Sequence, residues 1–166
     1  RVPCAGRGPR FAGGGQIREL ANLRDLPPTL LEAAGLHVPA VMQGHSILPL
    51  INHQKVAWDQ EIFIQISESQ VGRAIRTHRW KYSVVAENLS GETEPGSDHY
   101  KEEYLYDLEA DPYEMVNLAG LTSHRELANH LCDRLIQRMV QAGEAAPLIE
   151  LAPERLANPQ CILFPD

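Results

Sequence analysis

The side chains best suited to chemistry fall into two groups with opposite charge. Arg73, Arg76, His78, Arg79 and Lys81 form the one concentration of positive charge in the chain. Guanidinium groups bind sulfate and carboxylate oxygens through paired hydrogen bonds, so His78 and Arg79 are candidate substrate-binding residues for an anion. The same cations could instead pair with acidic side chains nearby, including Asp107, and pairing requires fewer assumptions. Asp107, Asp111 and Glu114 form the second group. Their spacing would suit acid–base work, but it also suits turn and capping duty: Asp111 precedes Pro112, and Glu114 follows three residues later as in a capping box. The structural role explains all three positions. Seven histidines (His37, His45, His53, His78, His99, His124 and His130) show no i, i+4 pair of the zinc-binding kind, so no metal site is assigned to the chain. Gly13-Gly14-Gly15 lacks the Gly-Lys-Ser/Thr continuation of a phosphate loop and reads as a turn.

Hydrophobic patterning supplies the elements that position these groups. Residues 1–9 read as a buried strand and its exit, and residues 17–23 as a short returning strand. Asp25 should cap a helix whose first turn holds Pro27 and Pro28, with Leu26, Leu30, Leu31 and Ala34 on one face and Gly35 as its left-handed stop. Ser46 to Ile51 is a short apolar element packing back on that helix. From Glu61 the period changes to two. Three strands follow, around Ile62–Ile66, Val71–Ile75 and Trp80–Val84, and Tyr104–Asp107 adds a fourth, which makes an antiparallel meander. Arg76 and Lys81 should share the sheet face opposite to Ile75, Trp80 and Tyr82. Residues 87–103, rich in Ser, Gly and acidic side chains, form a long surface insertion of the kind that can border a pocket. Ser123 and Glu126 predict a capping box for a last long helix, whose stripe of Leu127, Leu131, Leu135 and Met139 should lie across the sheet. Residues 144–166 read as an irregular tail, because Pro153 and Pro159 exclude one continuous helix.

At 166 residues and 43% hydrophobic, the chain can bury one ordinary core or one core plus a detached piece of another. Its net charge of −7, from 15 basic against 22 acidic residues, argues against nucleic acid or an anionic membrane as main partner. No apolar stretch approaches the roughly 20 residues of a membrane-spanning helix. Cys4, Cys132 and Cys161 are too few and too scattered for a disulfide framework.

Three blocks, in register, resemble the C-terminal part of the sulfatases of the alkaline-phosphatase-like superfamily. The first runs through Asp25-Leu26, Pro28-Thr29-Leu30-Leu31, Ala34-Gly35, Gln43-Gly44, Ser46 and Leu48-Pro49-Leu50. The second is Arg73-Ala74-Ile75-Arg76-Thr77 with Arg79-Trp80-Lys81-Tyr82. The third is Leu105-Tyr106-Asp107-Leu108, Asp111-Pro112, Glu114 and Asn117-Leu118. The resemblance marks Asp25, Asp107, Asp111 and Glu114 as structural signature residues. It implies a fragment of mixed α/β class: residues 1–58 as the end of a large alkaline-phosphatase-like sheet domain, 59–143 as a small four-stranded antiparallel sheet packed with a C-terminal helix, and 144–166 as the tail.

Arg1-Val2-Pro3 followed by Arg7-Gly8-Pro9 matches a segment deep within such proteins, so the expectation is a C-terminal region whose larger N-terminal domain is its partner. The family's nucleophile is a cysteine, converted to formylglycine, within Cys-x-Pro/Ala-Ser/Thr-Arg. Cys4, Cys132 and Cys161 all lack that context. Formylglycine, calcium and every catalytic residue are therefore expected upstream, and the fragment alone should be inactive. The implied substrate of the parent is a sulfate ester on a small molecule or glycan. A phosphate or phosphonate ester hydrolase of the same superfamily, or a self-sufficient non-catalytic binding module, are the alternatives. On the sulfatase reading, residues 1 to about 50 lack most of their partner surface. Their amide hydrogens should exchange faster than those of residues 60–142 in the isolated chain, and equal protection of both parts would count against it.

Overall fold

A computed structural model describes residues 4–11 and 14–156. Within it the chain forms two compact units, Arg1–Gln60 and Glu61–Asp166. The calls that fall on residues 1–3, on Gly13, and on Pro159 and Cys161 lie outside the described residues.

Among the described residues of the first unit the expected N-terminal strands do not form. A strand needs a ladder partner, and residues 4–11 make only an isolated bridge between Gly8 and Phe11. Residues 15–20 are likewise without regular structure. Helix α1 spans Leu26–Ala33, and Gly35 turns out of it at φ 73°. Its inward face differs from the expected one. Asp25, Pro28 and Thr29 are buried, whereas Leu30 is 63% exposed. Asp25 does not cap α1 with its side chain. A 3-10 turn, Leu23–Asp25, starts the helix earlier with Asn22 as its cap, and Asp25 is the residue that answers Asn22 in a capping box. The short helix α2, Leu48–Ile51, follows a loop in which Gly44 sits against the Arg24 carbonyl. A Cβ there would lie 2.0 Å from that oxygen, so only glycine fits.

The second unit is a five-stranded sheet in the order β1-β2-β3-β4-β5. Strands β1 (Glu61–Ser67), β2 (Val71–Thr77), β3 (Trp80–Ala86) and β4 (His99–Asp107) form the expected antiparallel meander, with β4 starting earlier than the aromatic run suggests. A fifth strand, β5 (Leu148–Glu150), pairs parallel to β4. The stretch expected as irregular tail therefore extends the sheet, because β4 offers an unpaired edge that a short passing segment can satisfy. Farther on, Arg155 donates to the carbonyls of Asn117 and Ala119 and anchors the chain again.

Helix α3 (Arg125–Gln141) crosses one face of this sheet. Its buried stripe is Ala128, Leu131, Cys132, Leu135 and Met139, and it meets Val71, Ile75, Tyr82, Val84, Tyr100 and Leu105 in one core. Leu127 is only partly buried at its margin. The expected Ser123–Glu126 capping box does not form: a 3-10 turn, Thr122–His124, precedes the helix, and Ser123 Oγ bonds His124 instead. Gly143, at φ 93°, ends α3 as expected. The insertion between β3 and β4 is tied to the sheet, since the Pro95 carbonyl accepts from Ser67 Oγ and from Arg73. Leu135 is fully buried, so Leu135→Ala should cost about 2–5 kcal/mol of stability, measured by chemical denaturation of the chain.

Candidate functional site

The hairpin between β2 and β3 brings His78 and Arg79 to its tip, as the spacing predicts. Thr77 closes the hairpin: its Oγ1 accepts from the Trp80 N–H at 2.8 Å and donates to the Trp80 carbonyl. Arg79 stacks its guanidinium 4.7 Å above the Trp80 ring. The same guanidinium grips Asp107 from two nitrogens, with Nε donating at 3.1 and 3.2 Å and Nη2 at 2.7 Å, while Glu109 stands 3.7 Å away. Arg79 thus has the acidic partner that the simpler sequence reading favours, and its side chain is still 54% exposed. His78 is exposed beside it.

Asp107 is the hub of this corner. Besides Arg79 it accepts the N–H groups of Glu109 and Ala110 at 3.1 and 3.3 Å. Hydrogen bonding from Arg79 is the largest influence holding its carboxyl below the ordinary range. Burial acts in the opposite sense, and the two backbone donors add to the lowering. Asp111 does not cap a helix, because residues 111–116 hold a turn at Pro112-Tyr113 and no helix. Its Oδ2 instead accepts the Val116 N–H at 2.8 Å. Glu114 does not reach back to Asp111 with its side chain. It adopts φ 58° and pairs with Lys81 Nζ, which lies 5.6 Å from the Tyr106 ring centre. The carboxylate trio is therefore dispersed over three separate tasks, Asp107 and Asp111 on backbone N–H groups and Glu114 on Lys81. Asp25, the fourth signature residue, accepts the N–H groups of Asn22 and His45 at 2.7 and 3.0 Å.

The basic group is also split. Arg73 is buried on the α3 side, bound to Glu144 at 2.8 Å and to the Pro95 and Gly72 carbonyls. Arg76 and Lys81 are cross-strand partners on the other face, as expected. Two further ion-pair groups escaped sequence reasoning. Glu102 is held by Arg125 at 3.0 Å and by the Ala152 N–H, and Glu61 by Arg134 and Arg138. Neither Glu102 nor Glu61 is marked by sequence spacing, since their partners lie far along the chain. Asn117 was also underestimated. Its amide bridges β4, accepting from the Leu105 N–H at 3.1 Å and donating to the Glu103 carbonyl at 2.9 Å. Its fixed place beside Leu118, whose own N–H reaches the Leu105 carbonyl, was the available signal.

Cys132 is buried beside Tyr82, and burial pushes its thiol up, away from the thiolate a nucleophile requires. Among the described residues no group of three or more His, Cys, Asp or Glu side chains is placed to hold a metal ion.

A five-stranded sheet backed by one helix defines an α+β unit. Residues 1–141 match the family described as N-sulphoglucosamine sulphohydrolase, C-terminal, and the chain belongs to this family of sulfatase C-terminal regions. It is similar to the ulvan-active sulfatase of Formosa agariphila, 30% identical over 168 residues that cover 87% of this chain and 34% of that protein. It is also similar to human arylsulfatase K, 30% identical over 71% of this chain and 22% of the relative. The chain therefore spans about a third and about a fifth of the lengths of these relatives. Its fold matches a solved structure in complex with its substrate D-glucosamine-2-N,6-O-disulfate, at a TM-score of 0.59 and 24% identity, over 74% of this chain and 24% of that one.

A carboxyl held low in the folded state contributes stability that is complete above its unfolded pKa, about 3.9, and is lost as pH falls through the folded value. Asp107→Asn should accordingly flatten the fall in melting temperature between about pH 5 and pH 2. A wild-type slope that persists unchanged in the variant would refute the assignment.

Proposed function

We propose that this chain is the C-terminal region of a sulfatase, a hydrolase of sulfate esters, in which it is structural and frames the substrate cleft. The match of residues 1–141 to the sulfatase C-terminal family carries the reading. The hydrolytic machinery belongs to the rest of the parent. No cysteine of this chain stands in the formylglycine context, so formylglycine and the calcium ion are proposed for the N-terminal domain. No chemical step is assigned to a residue of this chain.

The substrate proposed for the parent is a sulfated sugar. Support comes from the family description, which names a sulphated glucosamine, and from the relative named for activity on ulvan. Within the chain, Arg79 and His78 are the proposed contacts to such a substrate. Arg79 is held in place by Asp107 and Trp80 and still presents guanidinium surface to solvent. A guanidinium whose orientation is already fixed loses less freedom on meeting an anion than a free one does. Asp107 and Glu109 offset part of its charge, and the exposed edge of the guanidinium is what remains for an anion.

The gene sequence upstream should encode Cys-x-Pro/Ala-Ser/Thr-Arg. The full parent should release sulfate from a sulfated sugar, and the 166-residue chain alone should release none. In the parent, Arg79→Ala should raise KM for the sulfated substrate while Arg79→Lys restores it in part. Turnover by the isolated chain, or a parent that leaves sulfate esters intact, would overturn the proposal.

A further inference from the structure

Helix α3 begins without the cap that its sequence offers. Neither α3 nor the 3-10 turn before it has a side-chain cap. Ser123 Oγ instead shares a hydrogen bond of 2.9 Å with His124 Nδ1. A serine at a helix start stabilises the helix when it caps, so diverting it to a ring gives up stability for position. The ring held in this way meets Trp80 edge-on, with centroids 6.2 Å apart and planes at 65°. Trp80 in turn lies 4.7 Å beneath the Arg79 guanidinium. Ser123, His124, Trp80 and Arg79 thus form one line of contacts from the start of α3 to the hairpin tip.

Both ends of that line are anchored. The turn carrying His124 is fixed by the Thr122 N–H, which donates to the Arg155 carbonyl at 3.1 Å, and by the His124 N–H, which donates to the Leu121 carbonyl at 3.0 Å. At the tip, the Arg79 carbonyl accepts the Leu108 N–H at 2.6 Å, and Asp107 holds the guanidinium. Between them stands the Trp80 side chain, at the first residue of β3 and only partly buried. A turn of that ring would carry the cation–π contact with it. The edge contact of His124 opposes this rotation, and the bond to Ser123 settles the rotation of the His124 ring, whose own torsion is soft.

We propose that His124 is a positioning residue for the Arg79 contact, a role that rests on the substrate binding proposed above. His124 holds the Trp80 ring so that the guanidinium keeps one orientation before an anion arrives, and Ser123 sets the His124 ring. The freedom of the arginine is then lost on folding rather than on binding.

Kinetics of the parent and fluorine NMR of the 166-residue chain test this. In the parent, His124→Ala should raise KM for a sulfated sugar about two- to tenfold at constant kcat. His124→Phe, which keeps a ring edge against Trp80, should restore most of the loss. In an Arg79→Ala background His124→Ala should add nothing, because both changes act through one guanidinium. An unchanged KM, an equal rise in both backgrounds, or a fall in kcat at constant KM would overturn the proposal. The chain contains two tryptophans, Trp58 and Trp80, so ring-fluorinated tryptophan gives each its own resonance. His124→Ala should move the Trp80 resonance toward that of the free amino acid and leave the Trp58 resonance in place. A stationary Trp80 resonance would also overturn the proposal. Movement of both would mean that His124→Ala unfolds the chain. Ser123→Ala, which keeps the ring, would then decide by a raised or an unchanged KM. A parent whose KM is indifferent to Arg79→Ala would sink the substrate contact, and a displaced Trp80 resonance would still leave the brace standing.

Discussion

One contact organises the second unit: the apolar stripe of α3 laid across the middle strands of the sheet. Leu131, Leu135 and Met139 are fully buried there against Ile75, Tyr82 and Leu105. Each such side chain contributes roughly 1.5–3 kcal/mol by leaving water. Around this stripe stand the ion pairs Arg73–Glu144, Glu102–Arg125 and Glu61 with Arg134 and Arg138. Buried or partly buried pairs roughly break even against their desolvation, so apolar burial sets the stability of the helix and the charges fix its position. A helix slid by one turn would leave Glu102, whose side chain has no exposure, without a counter-charge. That error costs far more than the pair contributes when made.

The signature residues follow a common logic. Asp25, Asp107, Asp111 and Asn117 each accept backbone N–H groups that no strand or helix can satisfy. A buried donor left unmade costs about 1–3 kcal/mol, so a short polar side chain at a turn is worth more than its own hydrogen bond. Thr29 works in the same way, donating to the Asp25 carbonyl and accepting the Ile47 N–H. In this chain the acidic signature is a scaffold, and its charge is consumed by the backbone and by Arg79 and Lys81.

The meander was legible because a period of two holds within each of the runs Glu61–Ser67, Val71–Thr77 and Trp80–Ala86, and α3 because its stripe repeats every fourth residue. Elements held by tertiary context were not legible. β5 has three residues and exists because β4 offers an edge. The cap on α3 was misread because Ser123 found His124 before it found a backbone donor. The α1 face was misread because Leu30 stays exposed while Thr29, a polar residue, is buried for its hydrogen bonds. At the hairpin tip, residue types indicated both Arg79 and its carboxylate partner, but not the Trp80 ring beneath the guanidinium.

Strand β4 contains one further instruction. Its pairing with β3 shifts between Ser83 and Val84, so that Val84 aligns with Glu102 and Ser83 with Tyr104, leaving Glu103 as an extra residue. Before it, Tyr100 and Glu102 point inward; after it, Leu105 and Asp107 do. The insertion therefore inverts the parity of the strand, and with it which half of the signature is hidden. Counting in twos from Tyr100 without it would send both tyrosines into the interior and turn the aspartate away from the arginine that clasps it. A single surplus amino acid thus decides which side chains of the ribbon are hidden, and it puts Tyr104 and Tyr106 on the side opposite to Leu105 and Asp107.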